Sequence, residues 1–177
     1  MPGTEHATGG EIFPAPILSL AATLVAALRA RRSKITVAES CTGGMLGAAI
    51  TSIAGASDVF DLGFITYSNA AKTEMIGVPN SLLALHGAVS AQVAAAMATG
   101  AQLRASSSLA VSVTGVAGPG GGTLTKPVGL VFLGLASVGA EPETQELRLG
   151  NIGRTSVRLK TTEAALALAL SACCERI

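Results

Sequence analysis

The sequence predicts a single α/β domain built on a mixed, mostly parallel sheet with helices on both faces. Three observations carry that reading. Short β-branched or aliphatic runs alternate with Ala-rich helical stretches, the order expected of a layered α/β chain. The 177 residues are 49% hydrophobic and only 13% charged, ample apolar mass for one core and too little charge for disorder. Aromatic residues make up 3%, with no Trp, one Tyr and four Phe, so the core must be aliphatic.

The elements follow in order. The first 15 residues, with Pro2, Gly3, Gly9, Gly10 and Pro14, read as a mobile tail ahead of one domain over 16–177. Ile17 to about Ala30 is an aliphatic helix ending among Arg29, Arg31 and Arg32, where cations suit the helix C-terminus. Ile35–Ala38 is a short strand, and Met45–Ile53 a helix behind Ser or Thr caps. Gly55-Ala56-Ser57-Asp58 is a turn, Val59–Tyr67 a strand, and Asn69–Met75 a helix closed by Gly77 and Pro79. Pro79–Leu85 forms another short helix that stops at His86-Gly87, and Ser90 caps a long one from Ala91 to about Arg104. Leu109–Thr114 is a strand that runs into the cluster Gly118-Pro119-Gly120-Gly121-Gly122. Val128–Ser137 and Glu143–Leu149 pair as an antiparallel hairpin, and Thr155–Cys174 is the closing helix.

Several function classes are excluded. A net charge of +1 supplies no field for a phosphate polymer, and no aromatics are spare for stacking single strands, so nucleic acid is not the ligand. The apolar runs Ile17–Leu28 and Ala164–Cys174 are too short to span a membrane. No Lys or Arg precedes the first of them, so it is no secretory signal. Cys41, Cys173 and Cys174 are odd in number and two are adjacent, which argues against a disulfide framework; His6 and His86 add no metal-ligand spacing. The expectation is a soluble cytoplasmic domain without metal or organic cofactor. Its Ala- and Leu-rich, weakly charged surface suits a homodimer interface.

In α/β sheets, ligands sit beyond the carboxyl ends of the strands. That rule selects three loops. In Glu39-Ser40-Cys41-Thr42-Gly43-Gly44 a small hydroxyl precedes glycines at a strand-to-helix turn. Such a turn makes a nucleophile with backbone oxyanion donors, an anion site, or a plain helix cap. Cys41 competes as nucleophile but more commonly such a thiol is a small buried hydrophobe. In Tyr67-Ser68-Asn69-Ala70-Ala71-Lys72, Ser68 and Lys72 are an i,i+4 pair on one helix face. A Lys held in a pocket loses charge and can act as a base; at the surface it is merely solvated. In Thr114-Gly115-Val116-Ala117-Gly118-Pro119-Gly120-Gly121-Gly122 the glycines let N–H groups converge as a nest for phosphate or carboxylate, or leave a flexible surface loop. The run is neither a Walker A motif nor G-x-G-x-x-G. A Ser-His-Asp triad would need His86, which reads better as a helix stop. If a Ser is the nucleophile, Lys is the most available base, an arrangement that runs amide hydrolysis on other folds.

Taken together and in order, these loops, His86-Gly87-Ala88-Val89-Ser90 and Lys126-Pro127-Val128-Gly129 resemble the CinA C-terminal domain family, the nicotinamide-nucleotide amidohydrolases. The resemblance runs from about Leu18 to Ala172. It implies a three-layer α/β/α domain of the anticodon-binding-domain-like type, with a mixed sheet of about five strands. It implies hydrolysis of the carboxamide of nicotinamide mononucleotide to nicotinate mononucleotide and ammonia. Ser40 matches the family's proposed nucleophile, Lys72 the base, and Tyr67 the Tyr that completes the catalytic set. In the same resemblance Thr114 and Gly115 match the floor of the pocket and the run with Gly118, Gly120, Gly121 and Gly122 its glycine loop; Thr42, Gly43, Gly44, Ser68 and Asn69, in the neighbouring loops, are expected to bind substrate with them. Longer members add an N-terminal molybdopterin-binding-like domain, for which 177 residues leave no room, so a stand-alone amidase is implied. Where the family often carries Gly-Asp-Arg, this chain reads Gly150-Asn151-Ile152-Gly153-Arg154, leaving Arg154 or Arg158 to face the substrate. The alternative is a catalytically idle nucleotide-binding or protein-interaction module, as the family's competence-linked name implies.

Overall fold

The computed structural model of the protein describes residues 12–176. Helix α1 spans Ala15–Arg31, strand β1 Ile35–Glu39, helix α2 Met45–Thr51 and strand β2 Phe64–Ile65. Helices α3 (Asn69–Ile76), α4 (Asn80–His86) and α5 (Ala91–Ala105) follow. Strands β3 (Leu109–Gly115), β4 (Leu130–Ser137) and β5 (Glu143–Arg148) precede the closing helix α6 (Arg154–Arg176). The sheet order is β2-β1-β3-β4-β5. β1 pairs in parallel with β2 and β3, whereas β4 is antiparallel to both neighbours. The sheet is thus mixed, and β4 alone runs against the other strands.

Side-chain alternation along the strands builds the two outer layers. Ile35 and Val37, Leu109, Val111 and Val113, and Val131, Leu133 and Leu135 point to one face, where α1, α2 and α6 cover them. Toward the opposite face most residues are small, Ala38, Ala110, Ser112, Gly134 and Ala136, with Thr36 and Phe132 among the larger ones. That flat face lets Ala-rich α5 approach closely, and α3 and α4 pack beside it. Gly134 shows how close: a Cβ there would lie 2.3 Å from the Ala94 carbonyl oxygen, which also accepts a 2.6 Å bond from Ser112 Oγ. Among the described residues no helix is long and apolar enough to cross a membrane.

Three expectations need correction. The tail expected over residues 1–15 lies mostly outside the described residues, but Phe13 is buried in the core and α1 already starts at Ala15. The strand read over Val59–Tyr67 shrinks to two residues. Ala56–Asp58 forms a 3-10 turn, and Thr36 Oγ1 donates to the Leu62 carbonyl at 2.8 Å, so a side chain replaces the ladder there. Finally, α2 has no Ser or Thr cap; its first residue follows Gly44, which is left-handed. The cap comes from Glu39, as described below. Elsewhere the local signals are realised: Ser90 Oγ accepts from Val93 N, and Gly87 ends α4.

Candidate active site

The carboxyl ends of β1, β2 and β3 bring the three loops to one cleft of about 290 Å³. It is lined by Ser40, Cys41, Tyr67, Asn69, Lys72, Thr114, Gly115, Gly118, Gly120 and Gly121, together with Ala88, Val89, Val116, Ala117 and Arg154. A larger groove of about 420 Å³ runs along α5, but Arg104 is its only ionisable lining residue.

Ser40 directly follows β1, its N–H donating to the Val113 carbonyl at 3.0 Å. Lys72 lies one turn into α3, whose start Ser68 caps by accepting from Ala71 N at 3.0 Å. Ser68 is therefore an exposed cap and does not share the cleft with Lys72. Lys72 is only 1% exposed. Its Nζ lies 3.1 Å from Ser40 Oγ and donates to the Thr66 carbonyl at 2.8 Å. Among the described residues no carboxylate is paired with this amine. Burial therefore favours its neutral form and lowers its pKa from the usual lysine value, against a smaller opposing pull from Cys41. Burial pushes the adjacent Cys41 thiol the other way, up to about 11. A thiol so raised stays protonated near neutrality.

The turn after Ser40 is organised by a residue to which the sequence reading gave no role. Glu39 is 1% exposed, and its carboxylate accepts from Gly44 N at 2.9 Å, Leu46 N at 3.1 Å and Gly47 N at 2.8 Å. Gly43 N donates to the Ser40 carbonyl and Met45 N to that of Thr42. The N–H groups at the start of α2 are thus all engaged, which corrects the expectation that they are free to hold an oxyanion. In this turn only the N–H groups of Cys41 and Thr42 donate to no backbone carbonyl of the described residues. Capping oxygens normally come from the residue at the helix boundary. A cap from the end of the preceding strand, five to eight residues upstream of the N–H groups it holds, has no local signature.

Thr42, Gly43 and Gly44 lie behind the cleft rather than on its wall, as does Arg158, which donates to the Thr42 carbonyl at 2.6 Å. Thr114 faces the cleft and donates through Oγ1 to the Ala88 carbonyl at 2.7 Å. Gly118 has φ +82°, and a Cβ there would meet Val128 at 2.7 Å, so only glycine fits. Gly122 packs against Val128 outside the lining. Arg154, the first residue of α6, closes the mouth by donating to the Gly118 carbonyl at 2.8 Å and to Tyr67 Oη at 3.0 Å. Of the two arginines left open by the sequence, it is Arg154 that reaches the cleft.

The family model of the CinA C-terminal domain matches residues 17–173. The chain belongs to the CinA C-terminal domain family. A protein from Enterobacter agglomerans called nicotinamide-nucleotide amidohydrolase PncC is 47% identical over 151 residues, 85% of this chain and 92% of that one. A CinA-like protein of Geobacter sp. (strain M21) is 60% identical over 116 residues, 64% of this chain but 28% of its own length. Against another, from Akkermansia muciniphila, identity is 47% over 154 residues, 87% of this chain and 37% of that one. The chain thus spans about a third of the length of these longer CinA relatives. Among solved structures, the competence/damage inducible protein CihA from Agrobacterium tumefaciens superposes with a TM-score of 0.90 at 44% identity, covering 92% of this chain and 98% of that one. The five-stranded CinA-type fold expected from the resemblance is therefore the fold of this chain.

Proposed function

We propose that this CinA-type domain is an amidohydrolase that converts nicotinamide mononucleotide and water to nicotinate mononucleotide and ammonia. The observation that carries the reading is the buried contact between Lys72 Nζ and Ser40 Oγ at 3.1 Å, with no carboxylate to hold the amine charged. Neutral Lys72 takes the Ser40 proton as Oγ attacks the carboxamide carbon. Collapse of the tetrahedral intermediate breaks the C–N bond, and Lys72 returns the proton to the leaving ammonia. A water, deprotonated by the same amine, then cleaves the acyl ester and leaves the carboxylate. Cys41 lines the cleft, and its backbone N–H, which donates to no backbone carbonyl, is the donor of this turn available to the oxyanion. Tyr67, Asn69, Thr114 and Gly115 line the reacting end, and Gly118, Gly120 and Gly121 offer a backbone nest to the phosphate. The name of the E. agglomerans relative supports the substrate, and the chemistry requires neither metal nor organic cofactor. The enzyme would act in the cytoplasm.

Ammonia release on adding the mononucleotide tests this directly. Ser40→Ala is expected to abolish release with the fold intact, because one hydroxyl costs little stability. Cys41→Ala should keep most of its activity. The reverse pattern would make the thiol the nucleophile. Absence of release from the wild type would leave an idle binding module.

A further inference from the structure

The cleft has an uneven distribution of charge. Its lining includes two basic side chains, Lys72 and Arg154, and no Asp or Glu. Lys72 is buried against the nucleophile. Arg154 is exposed at the mouth and donates only to neutral oxygens, the Gly118 carbonyl and Tyr67 Oη. None of the ion pairs among the described residues includes it. Two of its five N–H donors are engaged, and the rest of the fork is unspent.

Helix stability does not explain the residue. As the first residue of α6 it places a cation where the helix end is already positive, and no acid in the first turn offsets it. The bonds it makes instead tie two walls of the cleft. Tyr67 stands beside Thr66, whose carbonyl holds the Lys72 amine, and Gly118 opens the glycine loop. The base and the guanidinium are thus anchored to adjacent residues, with the amine toward the interior and the guanidinium toward solvent. A ligand with a neutral amide at one end and an anion at the other matches that polarity.

We infer that Arg154 is the specificity-determining residue of the cleft, receiving the phosphate monoester of the substrate and so selecting a phosphorylated amide over its neutral counterpart. The inference rests on the amidohydrolase reading for its substrate, but not for its anion. The fork geometry fits phosphate in two-pronged fashion, and the neutral oxygens that hold it now are readily exchanged for a charged partner.

The test pairs a binding probe with a kinetic one. Inorganic phosphate should raise the unfolding temperature of the wild type and inhibit it competitively, and both effects should vanish in Arg154→Met. Loss of a charge-assisted contact should lower kcat/KM for nicotinamide mononucleotide by about 10- to 100-fold, with the preference over nicotinamide riboside falling by the same factor. Arg154→Lys should fall between, since it keeps the charge without the fork. Undiminished phosphate protection in the Met variant would overturn the inference. So would an equal loss on mononucleotide and riboside, which would mean that Arg154 only braces Tyr67 and the loop. If the wild type releases ammonia from neither amide, the amidohydrolase reading fails, and the phosphate titration still decides the role of Arg154.

Discussion

Replacing Glu39 with Gln tests the buried cap on which the position of Ser40 depends. The carboxylate oxygens take Gly44 N and Leu46 N on one side and Gly47 N on the other, the Leu46 bond buried and the two glycine bonds partly so. A Gln of the same shape can keep its amide oxygen on the side with two bonds. Its NH2 group then faces the Gly47 N–H, donor against donor. A bond to a charged acceptor contributes about 1.5–3 kcal/mol, and a buried donor left unpaired costs about 1–3 kcal/mol. The two remaining bonds also lose charge assistance. The expected loss is about 4 kcal/mol, which for a chain of this size lowers Tm by about 8–16 °C. Thermal and urea unfolding followed by circular dichroism measure it. Kinetics well below the transition should show kcat falling more than KM rises, because the loosened turn carries Ser40, the nucleophile of the proposed reaction. A stability change under about 1 kcal/mol would refute the claim that this carboxylate holds the turn.

Lys72→Arg should be almost as inactive as Lys72→Ala, because a guanidinium keeps its proton in a protein. The wild-type pH–rate profile should rise to a plateau with its midpoint below 10.5, since burial favours the neutral amine; a midpoint at the ordinary lysine value would remove Lys72 as the base. The lowered pKa also means that the unfolded chain binds more protons between the folded value and 10.5, so wild-type stability rises with pH across that window. Lys72→Met should therefore be inactive yet unfold at higher temperature than the wild type near neutrality, the gap narrowing as pH climbs. In the glycine loop, Gly120 is the position to fill: a Cβ there meets nothing within 4 Å, whereas Gly121 has φ +82° and would be strained by any side chain. Gly120→Val should lower kcat/KM for the mononucleotide more than for the riboside, with unfolding unchanged; equal effects would demote the loop to a lid.

The parts of the fold that were readable are those with local causes. Ser90 and Gly87 bound helices as their side chain and backbone dictate, and the β3 and β4 runs pair where their aliphatic residues stand. β2 was misread because Val59–Tyr67 has strand composition but sits at the sheet edge, where Thr36 competes for its carbonyls through a side chain. Phe13 looked like tail because Gly and Pro surround it, and only α1 and α6 packing reveals it as core. The cleft was legible as a set of three loops, since parallel strands send their carboxyl ends to one edge. The contact between Ser40 and Lys72 was not, because it depends on residues 32 positions apart meeting through β1 and α3. Nor was Glu39, for the same reason of distance along the chain.

The way the site is built also accounts for where the fold tolerates imperfect bonding. Four buried side-chain polar atoms lack a hydrogen-bond partner among the described residues: Thr42 Oγ1, Thr66 Oγ1, Ser137 Oγ and Arg158 Nε. Three of them lie on residues tied to the segments that carry Ser40 and Lys72. Thr42 lies two residues beyond Ser40, Thr66 offers its carbonyl to Lys72, and Arg158 donates to the Thr42 carbonyl. A buried polar atom without a partner costs free energy, so a chain selected for stability alone would not collect them in one place. Lys72 adds a buried amine with no counter-ion among the described residues. A carboxylate beside it would relieve the burial penalty and at the same time hold the amine protonated, which removes the base. The same reasoning explains why Glu39, one residue from Ser40, has its oxygens occupied by three backbone N–H groups. Its charge is spent on shaping the turn.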